Sequence, residues 1–283
     1  MLLELGIGDA YGAGFEYADE MIDLGYNDLS RYVEHPRHKL KPGCYTDDTQ
    51  MSIAIAEAIV SGEPWTPELL ANWFVKAFQR DRREGYSRKF YHFLLEIGDG
   101  EEFLAKIQST SDKSGAAMRA APIGVLPTIE KVIEYSKIQA AITHNTPDGI
   151  NAATAAALMS HYFIYQLGPK RRLGQFLEGQ VPGEWSKPWQ GKVESKGWMS
   201  VRAAITAIIR NDSMTELLKD CIAFSGDVDT VAAHALGAAS SSVEITQDLP
   251  LHLIETLEND SYGRDYLIDL DSKLMSKVKK VDR

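Results

Sequence analysis

Apolar residues recur at helical spacing along most of the chain, and Thr, Ser, Pro and Gly mark where each run starts and stops. Over 47–61, Met51, Ile55, Ala58 and Ile59 share one side of a helix. In "WTPELLANWFVKAF", Thr66 has N-cap chemistry and Pro67 takes the first helical position, where a missing N–H costs little. "SRKFYHFLLEIG" starts at Ser87 and stops at Gly98, and "PTIEKVIEYSKIQAAIT" starts near Thr128. "NTPDGINAATAAALMSHYFIYQLG" has Thr146 as cap, Pro147 next and Gly168 at its end; its alanines let neighbours approach closely. "SVRAAITAII", "SMTELLKDCIAF" and "DVDTVAAHALGAASSS" continue the pattern, and strand-like alternation is weak. The pattern predicts an all-α fold of about ten or more helices around one core. No repeat, low-complexity tract or linker interrupts it, so residues 1–283 read as a single domain. The largest irregular stretch is 179–199, "GQVPGEWSKPWQGKVESKGWM", which carries Trp185, Trp189 and Trp198. It reads as a surface loop capped by aromatics, with ligand stacking as the alternative.

Bulk composition narrows the setting. At 283 residues and 44% hydrophobic, the chain can bury a sizeable core. A formal net charge of -10 argues against a nucleic-acid groove or an anionic membrane as partner, though a nucleotide ligand needs only local donors. Cys44 and Cys221 are far apart in sequence and form no metal-type pair, consistent with a reducing compartment. "MLLELGIGDAYGAG" lacks a basic leader region, and no apolar run has the length of a membrane span. The expectation is a cytoplasmic protein, and a monomer.

Two acidic clusters change this picture. "YTDDTQM" (45–51) places Thr46, Asp47 and Asp48 at the start of one helix, and "SGDVDTVAA" (225–233) places Asp227, Asp229 and Thr230 at the start of another. Asp and Thr are common N-caps, and a helix N-terminus favours carboxylates, so capping is the plainer account of either cluster alone. A regular helix puts Asp227 and Thr230 on one face and turns Asp229 away; a turn with Gly226 in it brings all three together. The two clusters supply carboxylates and hydroxyls only, a donor set that suits Mg²⁺ or Mn²⁺ and suits Zn²⁺ poorly. An EF-hand does not fit, because Val231, Ala232 and Ala238 stand where its ligands and glycine should be.

Five segments in order resemble the ADP-ribosylglycohydrolase family, which includes ADP-ribosylarginine hydrolases and the glycohydrolases that reactivate dinitrogenase reductase. "GDAYGAGFE" (8–16) is similar to the family's opening motif and "YTDDTQM" to its first metal motif. "SGAAMRAAPIG" (114–124) is similar to its substrate loop, "THNTPDGINAA" (143–153) to its His-containing segment, and "SGDVDTVAA" to its second metal motif. Ser225 and Val228 depart from the family's common glycine and threonine without touching a proposed ligand.

The resemblance implies a compact orthogonal helical bundle with a binuclear Mg²⁺ or Mn²⁺ site. Thr46, Asp47, Asp48 and Asp229 would hold one ion and Asp227, Asp229 and Thr230 the other, with Asp229 bridging. Glu16 would sit near the metals on a mobile loop after Gly12 and Gly14. Asp47, Asp48 and Glu16 are the catalytic candidates, with the general base unassigned. Ser114, Gly115, Ala116, Ala117 and Met118 would bring backbone N–H groups to a diphosphate, Arg119 would pair with a phosphate or an internal acid, and His144 would contact ribose. Asp9 would cap a helix or support the metal shell.

Other signals were weaker. "GIGDAYG" lacks the third glycine of a dinucleotide fingerprint, "HPRH" (35–38) reads as a solvated loop, and "KLMSKVKK" (273–280) reads as a helix end with favourable lysines. The expected activity is hydrolysis of the bond between ADP-ribose and a modified acceptor, ADP-ribosylarginine on protein first among acceptors. The alternatives are a protein of the same fold that neutralises an ADP-ribosyltransferase toxin by contact, and a two-metal nucleotide phosphohydrolase. The last class usually recruits His ligands, which neither cluster supplies.

Overall fold

The computed structural model describes residues 1–278; Lys279 and Lys280 of the basic tail lie outside the described residues. Fourteen α-helices are present: α1 Leu2–Gly12, α2 Asp19–Asp23, α3 Asp47–Ser61, α4 Pro67–Arg80, α5 Arg88–Glu96, α6 Gly100–Lys106 and α7 Ile129–Ala141 in the first half. The second half holds α8 Pro147–Ile164, α9 Leu173–Glu178, α10 Gly197–Arg210, α11 Met214–Ala223, α12 Val228–Ala239, α13 Leu251–Thr256 and α14 Arg264–Met275. Among the described residues, β pairing is confined to four isolated bridges. The all-α expectation holds. No helix among the described residues is long and apolar enough to cross a membrane.

Side-chain caps explain several of the helix starts. Thr66, Thr128 and Thr146 each accept a hydrogen bond from the backbone N–H three residues on, and Ser213 does the same for α11. Helix α8 stops at Ile164, four residues before Gly168, where Gln166 takes a left-handed φ of 51°.

Helix α1 is the element that local signals miss. Its sequence, LLELGIGDAYG, carries three glycines, each of which weakens an isolated helix by about 1 kcal/mol. Packing reverses the balance. A Cβ on Gly8 would lie 2.7 Å from the Ala232 carbonyl oxygen, and one on Gly12 would lie 2.4 Å from the Asp229 Cα. The two backbones therefore touch, and α12 answers with its own run of alanines. Helix α12 is buried along its whole length, between α1, α10 and α11, with α3 and α8 beyond. This contact sets Asp9 of α1, Asp48 of α3 and Asp229 of α12 at the same end of the packed helices.

Candidate metal centre

The first acidic corner is built by α3 and capped from α1. Thr46 is the N-cap residue of α3, but its side chain does not cap its own helix. The Asp9 carboxylate does so instead. It accepts from the backbone N–H groups of Thr46 (3.0 Å) and Thr49 (3.0 Å), and from the hydroxyls of Thr46 (2.8 Å) and Thr49 (2.5 Å). Of the two roles expected of Asp9, capping a helix or supporting a metal shell, these hydrogen bonds are the capping one. Because Thr46 gives its proton to Asp9, its oxygen lone pairs remain for a cation. Thr49 had no assigned role from the sequence; its place in T-D-D-T was the only available signal. Gly85, at φ +101°, comes so close to α3 that a Cβ there would lie 2.2 Å from Asp47 Oδ1. The Asp47 N–H donates to the Glu84 carbonyl at 3.1 Å, which anchors that turn over the corner.

The second corner is a turn followed by a helix, as three converging ligands require. Ser225 and Gly226 both have left-handed backbones, with φ 61° and 89°. Asp227 is the N-cap of α12 and Asp229 lies in its first turn. Ser225 thus occupies a position whose conformation glycine adopts at least cost, which accounts for its being a departure from the family pattern.

The two corners meet. The Thr230 hydroxyl faces both Asp48 and Asp227 and favours the charged form of each, and the Ser114 hydroxyl does the same for Asp227. Carboxylate oxygens of Glu16, Asp227 and Asp229 lie within 4.8 Å of one another. Thr46, Asp48, Asp227, Asp229 and Thr230 are buried, while Asp47 and Glu16 are partly so.

Such a cluster is electrostatically costly by itself. Burial first, and then the Asp9 and Asp47 charges, push the Asp48 carboxyl well above its ordinary range. Burial followed by Asp9 and Glu16 does so for Asp47, and burial followed by Glu16, Asp227 and Asp48 does so for Asp229. Burial, then the charges of Asp227 and Asp9, raise Glu16 to about 8. Like charges in one low-dielectric site are tolerated when protons or cations neutralise them. Two orphaned atoms favour cations. Asp48 Oδ2 and Asp227 Oδ2 are buried with no hydrogen-bond partner, one from each corner. With Thr46 and Thr230 they form an all-oxygen donor set that fits Mg²⁺ or Mn²⁺.

Glu16 is not on a free loop. Its carbonyl accepts from His35 Nε2 at 2.8 Å, and the N–H of Tyr17 donates to the Gly226 carbonyl at 2.9 Å. Gly14 packs so tightly that a Cβ would lie 2.7 Å from the Val33 carbonyl oxygen. His35 is buried, and its Nδ1 accepts from the N–H groups of Arg37 and His38. "HPRH" is therefore a solvated loop only from Pro36 onward; His35 is a structural brace for the Glu16 backbone.

The small-residue loop lies beside the metal corners. Ser114–Ala116 form a 3₁₀ turn next to Asp227, and the ring of His144 lies over Gly115, where a Cβ would be 3.2 Å from His144 Nε2. Met118 is buried, and its carbonyl accepts from the Ser52 hydroxyl of α3 at 3.2 Å. Arg119 does not reach the loop surface. It is 2% exposed, lies over the Phe74 ring at 4.5 Å, and donates to Gln139 Oε1 at 2.7 Å and to Thr143 Oγ1 at 2.8 Å. Among the described residues its hydrogen-bond acceptors are the neutral Gln139 and Thr143 rather than an acid. Burial lowers its pKa to about 9, so it remains charged at neutral pH.

Much of the segment 179–199 is exposed and its tryptophans turn inward, in keeping with a surface loop capped by aromatics. Trp185 and Trp189 are buried, and the indole N–H groups donate to the Val181 and Gly191 carbonyls. Its end straps the site together. Val193 exchanges backbone hydrogen bonds with Ser225 (3.0 Å) and Asp227 (2.9 Å), and the Ser195 carbonyl accepts from the Ser114 N–H at 3.0 Å. No residue type in this strap signals such a role, because only backbone atoms carry it.

An all-α chain whose helix starts converge on an oxygen-only acidic site next to a small-residue loop defines a class of candidate metal-dependent hydrolases. Comparisons with known proteins make this narrower. The family model described as ADP-ribosylglycohydrolase matches residues 1–282, and the chain belongs to that family. It is 30% identical over 195 residues to the ADP-ribosylhydrolase ARH3 of Xenopus tropicalis, covering 66% of this chain and 56% of that protein. The chain thus spans little more than half the length of that relative. It is 23% identical over 252 residues to the ADP-ribosylarginine hydrolase Tri1 of Pseudomonas putida, covering 83% of this chain and 67% of that protein. A solved structure titled ADP-ribosylglycohydrolase-related protein complex superposes with a TM-score of 0.71 at 19% identity, covering 98% of this chain and 96% of that one. That likeness establishes the fold.

Proposed function

We propose that this protein hydrolyses the glycosidic bond between ADP-ribose and a modified acceptor, ADP-ribosylarginine on protein being the first acceptor to test. The observation that carries the reading is the meeting of the two acidic corners, with one orphaned carboxylate oxygen from each, beside the loop at Ser114–Ala116. The arginine acceptor rests on the names of relatives.

Asp48, Asp227, Asp229, Thr46 and Thr230 would hold two Mg²⁺ or Mn²⁺ ions, with Asp47 and Glu16 at the rim. When bound, the ions supply Lewis acidity and lower the pKa of water for attack on an anomeric carbon. The chain's own residues orient and exclude. Asp9 fixes Thr46 and Thr49 through four hydrogen bonds, so the first corner is preorganised before any ligand arrives. In the metal-free site burial and the charges of Asp227 and Asp9 raise Glu16 to about 8, and cations held by Asp227 and Asp229 would offset those charges and favour its carboxylate form. The small side chains of the 3₁₀ turn at Ser114–Ala116 would let its backbone N–H groups approach diphosphate oxygens closely.

The test is release of free ADP-ribose from ADP-ribosylarginine-modified protein in Mg²⁺ or Mn²⁺. Inactivity on arginine-, serine- and nucleic-acid-linked substrates alike would overturn the reading.

A further inference from the structure

We infer that Thr143 is a positioning residue that holds His144 as its Nε2–H tautomer, so that the ring presents a hydrogen-bond donor over the loop at Gly115. The ligand role of that donor rests on the proposed function; the tautomer does not.

The argument is proton bookkeeping along a buried chain. Arg119 is an obligate donor, and its Nη2 donates to Thr143 Oγ1 at 2.8 Å. Thr143 Oγ1 lies 2.7 Å from His144 Nδ1. One hydroxyl carries one proton. Among the described residues, no other acceptor is within bonding distance of Thr143 Oγ1, so the proton points to Nδ1. The opposite assignment, with Nδ1–H donating to Thr143, strands a buried hydroxyl proton next to a guanidinium donor. The neutral ring then carries its hydrogen on Nε2.

Geometry gives that hydrogen a purpose. The Nε2 and Cε1 edge faces Gly115, where a Cβ would stand 3.2 Å and 3.0 Å away. Among the described residues, Nε2 has no protein acceptor. Burial, with Arg119 adding to it, pushes the His144 pKa down to about 3, so the ring stays neutral in use. Both bonds run in one direction, from guanidinium to hydroxyl to imidazole. Such a chain polarises cooperatively and leaves its positive end at Nε2–H. The acceptor it fits is an oxygen of the bound ADP-ribose, phosphate oxygen first. Arg119 would thereby act on an anion without touching it. Gln139 locks the arrangement by accepting from Arg119 Nε and donating to the Ala116 carbonyl at 2.9 Å.

Long-range ¹H–¹⁵N correlation spectra of the ¹⁵N-labelled full chain at neutral pH test this, with His144→Gln assigning the signals. The wild type should show Nδ1 in the unprotonated range and Nε2 in the protonated range. Thr143→Ser should keep that pattern. Thr143→Val should shift both nitrogens toward averaged values and weaken ADP-ribose binding, measured by calorimetry, about 3–10-fold, the worth of one hydrogen bond. A wild-type spectrum with Nδ1 protonated overturns the inference even where the valine variant fails to fold. A valine variant that keeps the wild-type spectrum and affinity also overturns it. The expected spectra in a protein that binds no ADP-ribose would uphold the tautomer and count against the proposed function instead.

Discussion

Replacing Gly12 by Ala sets two physical effects against each other, and the structure fixes which should win. Helix propensity alone favours Ala at the end of α1 by at most about 1 kcal/mol, the value for a helix interior. The new Cβ, however, would lie 2.4 Å from the Asp229 Cα and 2.8 Å from the Asp229 N. Ordinary contact begins near 3.4 Å, so α1 and α12 must separate by about 1 Å. The obstacle is helical backbone, which has no rotamer to change. Overpacking of this kind costs about 1–3 kcal/mol, and the upper part of that range applies. The net effect is a destabilisation of about 1–2 kcal/mol, or about 2–4 °C in the unfolding midpoint for a chain this size. The shift also moves Asp229 away from Asp48, so Mn²⁺ affinity should fall by about tenfold or more. Thermal unfolding followed by circular dichroism gives the first quantity and calorimetric titration the second. Gly237→Ala in α12 is the control, since its Cβ would meet Leu5 at an ordinary 3.4 Å and should gain about 0.5–1 kcal/mol. A Gly12→Ala protein that melts higher than wild type and binds Mn²⁺ equally well would refute the close-approach reasoning.

Three further outcomes follow from the same site. In chelator-treated protein, Glu16 keeps its proton in the fold up to about 8 but gives it up near 4.5 when unfolded, so stability should fall as pH rises from about 4.5 to about 8. Unfolding midpoints at pH 5.5, 7 and 8 measure the slope, and saturating Mn²⁺ should flatten or reverse it. Asp48→Asn removes one buried charge, so it should raise the midpoint of chelator-treated protein while abolishing the Mn²⁺-induced rise and lowering hydrolysis by more than about 100-fold, beyond the effect of outer-shell partners. Equal protection of cells by this variant and wild type against an ADP-ribosyltransferase toxin would favour neutralisation by contact. Ser225→Gly relieves a left-handed residue at φ 61° and should raise the unfolding free energy by about 0.5–1 kcal/mol in a denaturant titration.

What the sequence made legible was whatever its local chemistry encodes. Thr66, Thr128 and Thr146 read as caps because capping is decided within four residues. The two acidic clusters read as metal candidates because the same oxygen-donor chemistry recurs at two helix starts. Helix α1 was not legible, since its glycines argue for a loop until α12 is packed against them. Arg119 read as a partner for a phosphate or an internal acid, yet it is a core residue whose partners, Gln139 and Thr143, lie a helix away. The capping of α3 by Asp9 and the strap at Val193–Ser195 are long-range and, for the strap, carried by backbone alone. No residue pattern announces either.

The account stands on two helix starts, far apart in the chain, forming one cation site. Diffraction from crystals grown in Mn²⁺, with data collected at the manganese absorption edge, tests that directly. The expected result is anomalous density between Asp48 Oδ2 and Asp227 Oδ2, two buried carboxylate oxygens that lack a protein partner. Ordered crystals in saturating Mn²⁺ with no anomalous peak between those carboxylates would contradict it.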